Sequence, residues 1–176
     1  MTPFAKRQAG VAAGMAAGLV LTLAAIMWPD LPQVPAATDV RIALWFACSL
    51  SVAFWLVVAV GRLAGHRFLT PADIDGGLSA NSPRAALLQA LIQNTLEQAV
   101  LAIVAYGAWL WLGPPERAAL VVVFALYFAV GRLLFFVGYA RGAPFRALGF
   151  TLSFYPTIAL FVLLLPEALS ALAAGF

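Results

Sequence analysis

Charged residues are scarce in this chain, because Lys, Arg, Asp and Glu make up only 10% of its 176 residues, whereas hydrophobic residues make up 64%. No water-soluble domain of this length buries so much apolar surface, so the composition excludes a soluble fold. Lipid offers no partner for a free backbone N–H or C=O, and the chain must therefore cross the bilayer as long apolar helices.

Cysteine and histidine are almost absent. Cys48 is the only cysteine, which excludes an internal disulfide and a thiolate metal cluster, and a buried cysteine is usually a small apolar filler. His66 is the only histidine, and no second ligand stands beside it. We therefore expect no metal site.

Five apolar stretches are long enough to span a membrane. They are approximately Ala9–Trp28, Ile42–Leu63, Ala85–Leu112, Ala118–Tyr139 and Leu148–Leu165. The first ends in Trp-Pro-Asp and is longer than the apolar part of a usual signal peptide, so we interpret it as a retained span. The predicted fold class is all-α, an integral membrane helical bundle.

The placement of the basic residues predicts the orientation in the membrane. With the N-terminus inside, the outer side holds only Arg41 and Arg117. The inner side then holds Lys6, Arg7, Arg62, Arg67, Arg84, Arg141 and Arg146. The positive-inside rule favours a cytoplasmic N-terminus and an external C-terminus, and these residues are expected to set topology and not to bind nucleic acid.

The first span has glycines four residues apart, at Gly10, Gly14 and Gly18. This spacing lines one helical face with small residues, which allows another helix to approach closely. That helix is either one of the chain's own, which we favour, or one from another subunit.

Glycine and proline mark the connections between the spans. The longest polar region, His66–Pro83, is either a lid over a ligand or a plain connection, and Asn81-Ser82-Pro83 predicts the start of the next helix. A tight turn at Gly113-Pro114-Pro115 predicts that the third and fourth spans are antiparallel neighbours. Pro156 is expected to kink the fifth span.

Two ionisable residues, Glu97 and Arg132, lie deep inside apolar spans. A charge in lipid is expensive and usually faces a partner or a water-filled cavity. At a rise of roughly 1.5 Å per residue, Asn94, Glu97 and Arg132 lie within about one helical turn of each other in depth. We therefore expect a Glu97–Arg132 ion pair beside Asn94, which either fixes helix register or binds a ligand directly.

These residues also form a pattern that resembles the MAPEG family, the membrane-associated proteins in eicosanoid and glutathione metabolism. The third span contains Asn-x-x-Glu, and the fourth contains an Arg followed seven residues later by the Tyr of a Gly-Tyr pair, with a further Arg seven residues beyond. The matching positions are Asn94, Glu97, Arg132, Gly138, Tyr139 and Arg146.

The resemblance implies a four-helix domain over residues 41–176, preceded over residues 1–40 by an additional N-terminal span and a proline-rich outer loop, as in a bacterial-type member in the inner membrane. It also implies a homotrimer in which Asn94, Glu97, Arg132 and Tyr139 bind glutathione and Arg146 stabilises its thiolate. The implied activity is glutathione transfer to, or peroxidase action on, a lipophilic small molecule.

Three positions depart from the family pattern: Ala90 stands where an Arg is usual, and Gln98 and Phe135 stand where Tyr is frequent. These departures keep a second hypothesis open, a non-catalytic membrane scaffold that binds lipid or a protein partner. A small transporter has less support, because no inverted repeat is visible.

Overall fold

The structure is a computed structural model that describes residues 2–77 and 82–173. Across those residues it contains helices and no strand, with five long helices: α1 (Pro3–Met27), α2 (Thr38–Leu69), α3 (Pro83–Leu112), α4 (Leu120–Gly138) and α5 (Ala143–Ala173). All five regions are long and apolar enough to cross a membrane. The predicted all-α membrane bundle is confirmed, and four of the helices extend beyond the predicted apolar stretches.

The bundle has two ends, with a tight turn at each. The Gly113 end holds the turn between α3 and α4, and the Gly142 end holds the turn between α4 and α5. Gly142 has a φ of 105°, which favours glycine, and α5 begins at the next residue. α5 contains Pro156 and remains helical through it, so the kink expected there stays a prediction.

The polar loop before α3 ends as its residues predict. The Ser82 hydroxyl accepts a hydrogen bond from the Ala85 N–H at 3.2 Å, and Pro83 is the first residue of α3. Asn81 lies outside the described residues.

α1 packs on α5 through its glycine face, and the two helices run parallel. Gly10 lies against Pro144, Gly14 against Ala147 and Gly18 against Thr151. The Thr151 hydroxyl also donates to the Gly14 carbonyl at 3.2 Å. The glycine spacing therefore serves packing within one chain, as we favoured from the sequence.

We expect Gly14→Leu to separate α1 from α5. A Cβ at Gly14 would lie 2.8 Å from Ala147 Cβ and 2.9 Å from the Leu148 nitrogen, so the backbones must move apart. The cost should be about 1–3 kcal/mol, because the site has no room to absorb the side chain. Thermal unfolding in detergent measures it, with Ala13→Leu as the control at an exposed neighbouring position. Equal midpoints for the two variants would contradict the packing.

α4 also packs closely on α5 through glycines. A Cβ at Gly131 would lie 2.8 Å from the Gly149 carbonyl oxygen, and a Cβ at Gly149 would meet the Phe135 backbone. α3 and α4 are antiparallel, as the Gly113 turn predicts, but they meet mainly through side chains. The closest backbone neighbour of α4 is α5, because α5 offers small residues where the two helices cross.

The main apolar core lies toward the Gly113 end, where α2, α3, α4 and α5 meet. Its largest fully buried side chains include Tyr106, Phe124 and Phe128. The two arginines at this end bind carbonyl groups near helix C-termini, where a cation is favoured. Arg41 donates to the Leu110 carbonyl at 2.9 Å, and Arg117 donates to the Trp28 carbonyl at 2.7 Å.

Candidate functional site

A cavity of ≈ 340 Å³ lies toward the Gly142 end and is lined by residues of α1, α3, α4 and α5 and of the turn after α4. It brings together three of the five predicted site residues: Asn94, Tyr139 and Arg146. Most of the remaining lining is apolar and includes Val11, Met15, Phe135, Ala147 and Phe150. A mostly apolar cavity with a few convergent polar groups is the usual form of a small-molecule site.

Arg146 is the cation of this cavity. It lies in the first turn of α5, and its guanidinium carbon lies 4.3 Å from the centre of the Tyr139 ring. Tyr139 is held in turn by Phe135, whose ring meets it edge to face at 5.1 Å. Within residues 2–77 and 82–173, no carboxylate forms an ion pair with Arg146. The charge is therefore oriented by an aromatic ring and available to an anion.

Arg132 lies behind the cavity and is fully buried. Its guanidinium donates to Asn94 Oδ1 at 3.0 Å, to Gln98 Oε1 at 2.7 Å and to the Ser153 hydroxyl. The rings of Phe128 and Phe135 lie 5.5 and 4.6 Å from its guanidinium carbon. Asn94 also lines the cavity and so connects Arg132 to the cavity wall. The predicted contact between Arg132 and glutathione stays a prediction.

The expected Glu97–Arg132 ion pair is wrong for this chain. Glu97 is exposed on α3, and its carboxylate accepts a hydrogen bond from Gln93 Nε2 at 2.8 Å. Neighbouring residues on a helix point about 100° apart, so Glu97 does not point toward Arg132 when Gln98 does, and it lies on the exposed side of α3. Depth alone placed Glu97 near Arg132, but the helical rotation of α3 separates them.

Gln98 and Ser153 are two buried polar residues of the site that sequence reasoning did not predict. Both are buried, and both accept hydrogen bonds from Arg132. Asn94 and Gln98 are four residues apart and so share a helix face, a signal that points to Gln98 as the partner. No sequence signal pointed to Ser153, because its approach depends on the close packing of α4 against α5.

A second polar cluster, outside the cavity, connects the two ends of the loop before α3 by hydrogen bonds. Asp73 Oδ2 lies 2.9 Å from His66 Nε2 and accepts a hydrogen bond from the Ser82 hydroxyl at 2.7 Å. The bonds from Ser82 hold the pKa of Asp73 below its usual range, with a smaller contribution from His66. Asp73 and Ser82 both meet the same imidazole nitrogen, so the three residues do not form a catalytic triad, in which the two ring nitrogens have separate partners.

One cavity is lined by Asn94, Tyr139 and Arg146, and Arg132 donates a hydrogen bond to Asn94. These four residues also match the sequence pattern described above. The family model of the MAPEG family matches residues 42–166. The chain belongs to the MAPEG family. No curated protein and no solved structure matches the chain significantly. The family match supports a membrane protein with a glutathione-related function in general terms.

The MAPEG match begins within α2, so α1 lies outside the matched residues. α1 nevertheless contributes Val11 and Met15 to the cavity wall. Of the three departures from the family pattern, Phe135 lines the cavity, Gln98 is buried against Arg132, and Ala90 is exposed on the same side of α3 as Glu97. The three departures therefore lie in three different environments: the cavity wall, the buried contact with Arg132 and the exposed side of α3.

Proposed function

We propose that this MAPEG protein is a membrane-embedded, glutathione-dependent transferase or peroxidase that acts on lipophilic electrophiles or lipid hydroperoxides. The observation that supports this most is the Arg146 guanidinium, which is held over Tyr139 in a largely apolar cavity without a carboxylate partner among the described residues.

The chemistry of Arg146 suits a thiolate. A free thiol has a pKa of about 8.5 and is mostly protonated at neutral pH, and an adjacent cation favours the anion. The first turn of α5 adds the positive end of a helix dipole in the same place. Arg146 would therefore lower the thiol pKa of bound glutathione and hold the sulfur for attack.

The other family positions would hold the rest of the glutathione molecule. Asn94 and Tyr139 line the cavity with Arg146 and can bond to amide and carboxylate groups. Arg132 would position Asn94, because its guanidinium takes one side of that amide. Glu97 would contribute only from the outer face of α3.

Both reactions require no reagent beyond glutathione and the acceptor. In the transferase reaction, the thiolate sulfur attacks an electrophilic carbon, a C–S bond forms, and the leaving group departs with its electron pair. In the peroxidase reaction, the thiolate attacks the terminal oxygen of a hydroperoxide, the O–O bond breaks, and the alkoxide leaves and takes up a proton from solvent to give the alcohol. The resulting sulfenic acid and a second glutathione then form a disulfide and water.

A homotrimer is part of the proposal, and the exposed Glu97 supports an assembled state. A carboxylate facing lipid near mid-membrane is costly, so a partner surface is expected there. The same exposed side of α3 presents the apolar side chains of Ala90, Val100 and Val104. Of these, the alanine is small enough for close helix contact. The number of subunits is taken from the family.

We place the protein in a bacterial inner membrane with the Gly142 end facing the cytoplasm. The predicted inner side holds seven basic residues and the outer side two, if the buried Arg132 is left out. Both outer arginines bind carbonyl groups near helix ends, which accounts for their presence on that side.

Calorimetric titration of the detergent-purified protein with glutathione tests the proposal, followed by an assay with a chloronitrobenzene acceptor. We expect saturable heats and thiolate absorbance near neutral pH. Flat heats with no turnover from a folded trimer would refute it and favour the alternative, a non-catalytic MAPEG scaffold that binds lipid or a protein. Gln98 favours that alternative. Its amide oxygen accepts a hydrogen bond from Arg132 and is therefore not free to bind glutathione.

A further inference from the structure

The site cavity contains a second tyrosine besides Tyr139. Tyr155 lies on α5, is partly buried and lines the cavity together with Asn94 and Arg146. Across residues 2–77 and 82–173, its hydroxyl forms no hydrogen bond with another residue. A tyrosine hydroxyl can donate one hydrogen bond and can also accept. In a largely apolar cavity, this hydroxyl is therefore available to a ligand.

Thr151 supplies the other hydroxyl on the α5 wall of the cavity, and that hydroxyl already has partners. It lies 3.2 Å from the Gly14 carbonyl oxygen and 3.1 Å from the Leu148 carbonyl oxygen. A hydroxyl has a single proton, and these two carbonyls share it. Thr151 therefore connects α5 to α1, and Tyr155 is the residue of this wall that can donate a proton into the cavity.

The position of Tyr155 along α5 suits a group that acts opposite Arg146. Tyr155 comes nine residues after Arg146, so their Cα atoms lie roughly 13 Å apart along the helix axis. A long side chain on a helix leans toward the N-terminus, here by about one turn toward Arg146. Roughly 8 Å then remain between Arg146 and the hydroxyl along the axis. A sulfur atom and the two oxygens of a peroxide fit within such a distance.

We propose that Tyr155 is the catalytic acid of the peroxidase reaction and donates its proton to the alkoxide that leaves. This inference rests on the proposed function and deepens it by assigning the leaving-group step to a residue. The thiolate attacks the terminal oxygen, the O–O bond breaks, and the proton of the Tyr155 hydroxyl moves to the alkoxide oxygen. The tyrosinate then takes a proton from solvent, which received one when glutathione formed its thiolate.

The other polar groups of the cavity are less suited to this step. A guanidinium stays protonated in proteins, so Arg146 can stabilise the sulfur but does not act as an acid. The amide of Asn94 has no proton to give up, and Tyr139 lies under the Arg146 guanidinium on the thiolate side. Because a phenol is a much stronger acid than an alkyl alcohol, transfer from Tyr155 to an alkoxide is favourable.

Two acceptors test whether Tyr155 donates this proton. Cumene hydroperoxide has a leaving oxygen that needs a proton, whereas benzyl chloride loses chloride without one. Tyr155→Phe removes only the hydroxyl, and we expect kcat with cumene hydroperoxide to fall by about 10²-fold. The rate with benzyl chloride and the affinity for glutathione should stay unchanged. An equal loss with both acceptors, or no loss with cumene hydroperoxide, would overturn the acid role.

Tyr127→Phe is the matched control. Tyr127 also contacts α1, since its hydroxyl donates to the Leu21 carbonyl at 3.4 Å, but it does not line the site cavity. This variant should leave both rates unchanged. The unfolding midpoint of Tyr155→Phe in detergent should equal that of the wild type, because the lost hydroxyl has no partner within the described residues. A lower peroxidase rate then reports chemistry and not misfolding.

Measurements on the wild type keep the two proposals apart. If it binds no glutathione and converts neither acceptor, the proposed function is refuted, and the acid role falls with it. If it conjugates benzyl chloride but does not reduce cumene hydroperoxide, glutathione transfer is retained and the role of Tyr155 is refuted. If it has both activities, the ratio of the two rates in Tyr155→Phe decides the role of the hydroxyl alone.

Discussion

Arg146→Ala is expected to lower kcat/KM for glutathione transfer by about 10²–10³-fold, the usual cost of removing one preoriented group that stabilises developing or resident negative charge. Without the guanidinium, the thiol pKa of bound glutathione rises toward its ordinary value, so less thiolate is present at neutral pH. The loss should therefore be largest at low pH and shrink as pH rises toward 9. A pH–rate profile of the variant against the wild type measures both effects.

Two further variants show whether charge or shape matters at this position. Arg146→Lys keeps the charge but loses the planar contact with Tyr139, so it should recover part of the rate and keep a depressed thiol pKa. Arg141→Ala removes an exposed arginine from the neighbouring turn and should change little. If Arg146→Ala retained full activity with an unshifted profile, the thiolate mechanism would be wrong.

Much of the fold was predictable from the sequence because the bilayer imposes helices on long apolar runs. Ser82-Pro83 marked the start of α3, and the spacing of Gly10, Gly14 and Gly18 marked the face of α1 that packs on α5. The sequence was a poorer guide to which pairs of helices pack closest. The turn at Gly113 indicated that α3 and α4 are neighbours, yet the glycines of α4 bring it closest to α5.

Sequence reasoning predicted most of the family residues of the site, but only part of their arrangement in space. Family spacing identified Asn94, Tyr139 and Arg146, which the structure brings into one cavity. Glu97 was placed by depth, a measure that ignores the rotation of the helix, and the structure turns it outward. Val11 and Met15 were beyond prediction, because their place in the cavity wall depends on how α1 docks on α5.

Arg132→Ala is expected to destabilise the protein by about 3–5 kcal/mol, because removing one member of a buried charged network leaves its partners uncompensated. Asn94, Gln98 and Ser153 would all lose a hydrogen bond inside the bundle, and the space between the Phe128 and Phe135 rings would be empty. The measurement is thermal or denaturant unfolding in detergent. Arg84→Ala is the control at an exposed position and should change stability by no more than about 0.5 kcal/mol.

The same variant distinguishes a structural role of Arg132 from direct contact with glutathione. If Arg132 positions Asn94, then Asn94→Ala should weaken glutathione binding in the wild type but cost little more in the Arg132→Ala background, since the two residues act as a unit. If Arg132 touches glutathione itself, the two losses should add. Full stability of Arg132→Ala, with additive losses in binding, would mean that the guanidinium leaves its buried partners when glutathione is bound.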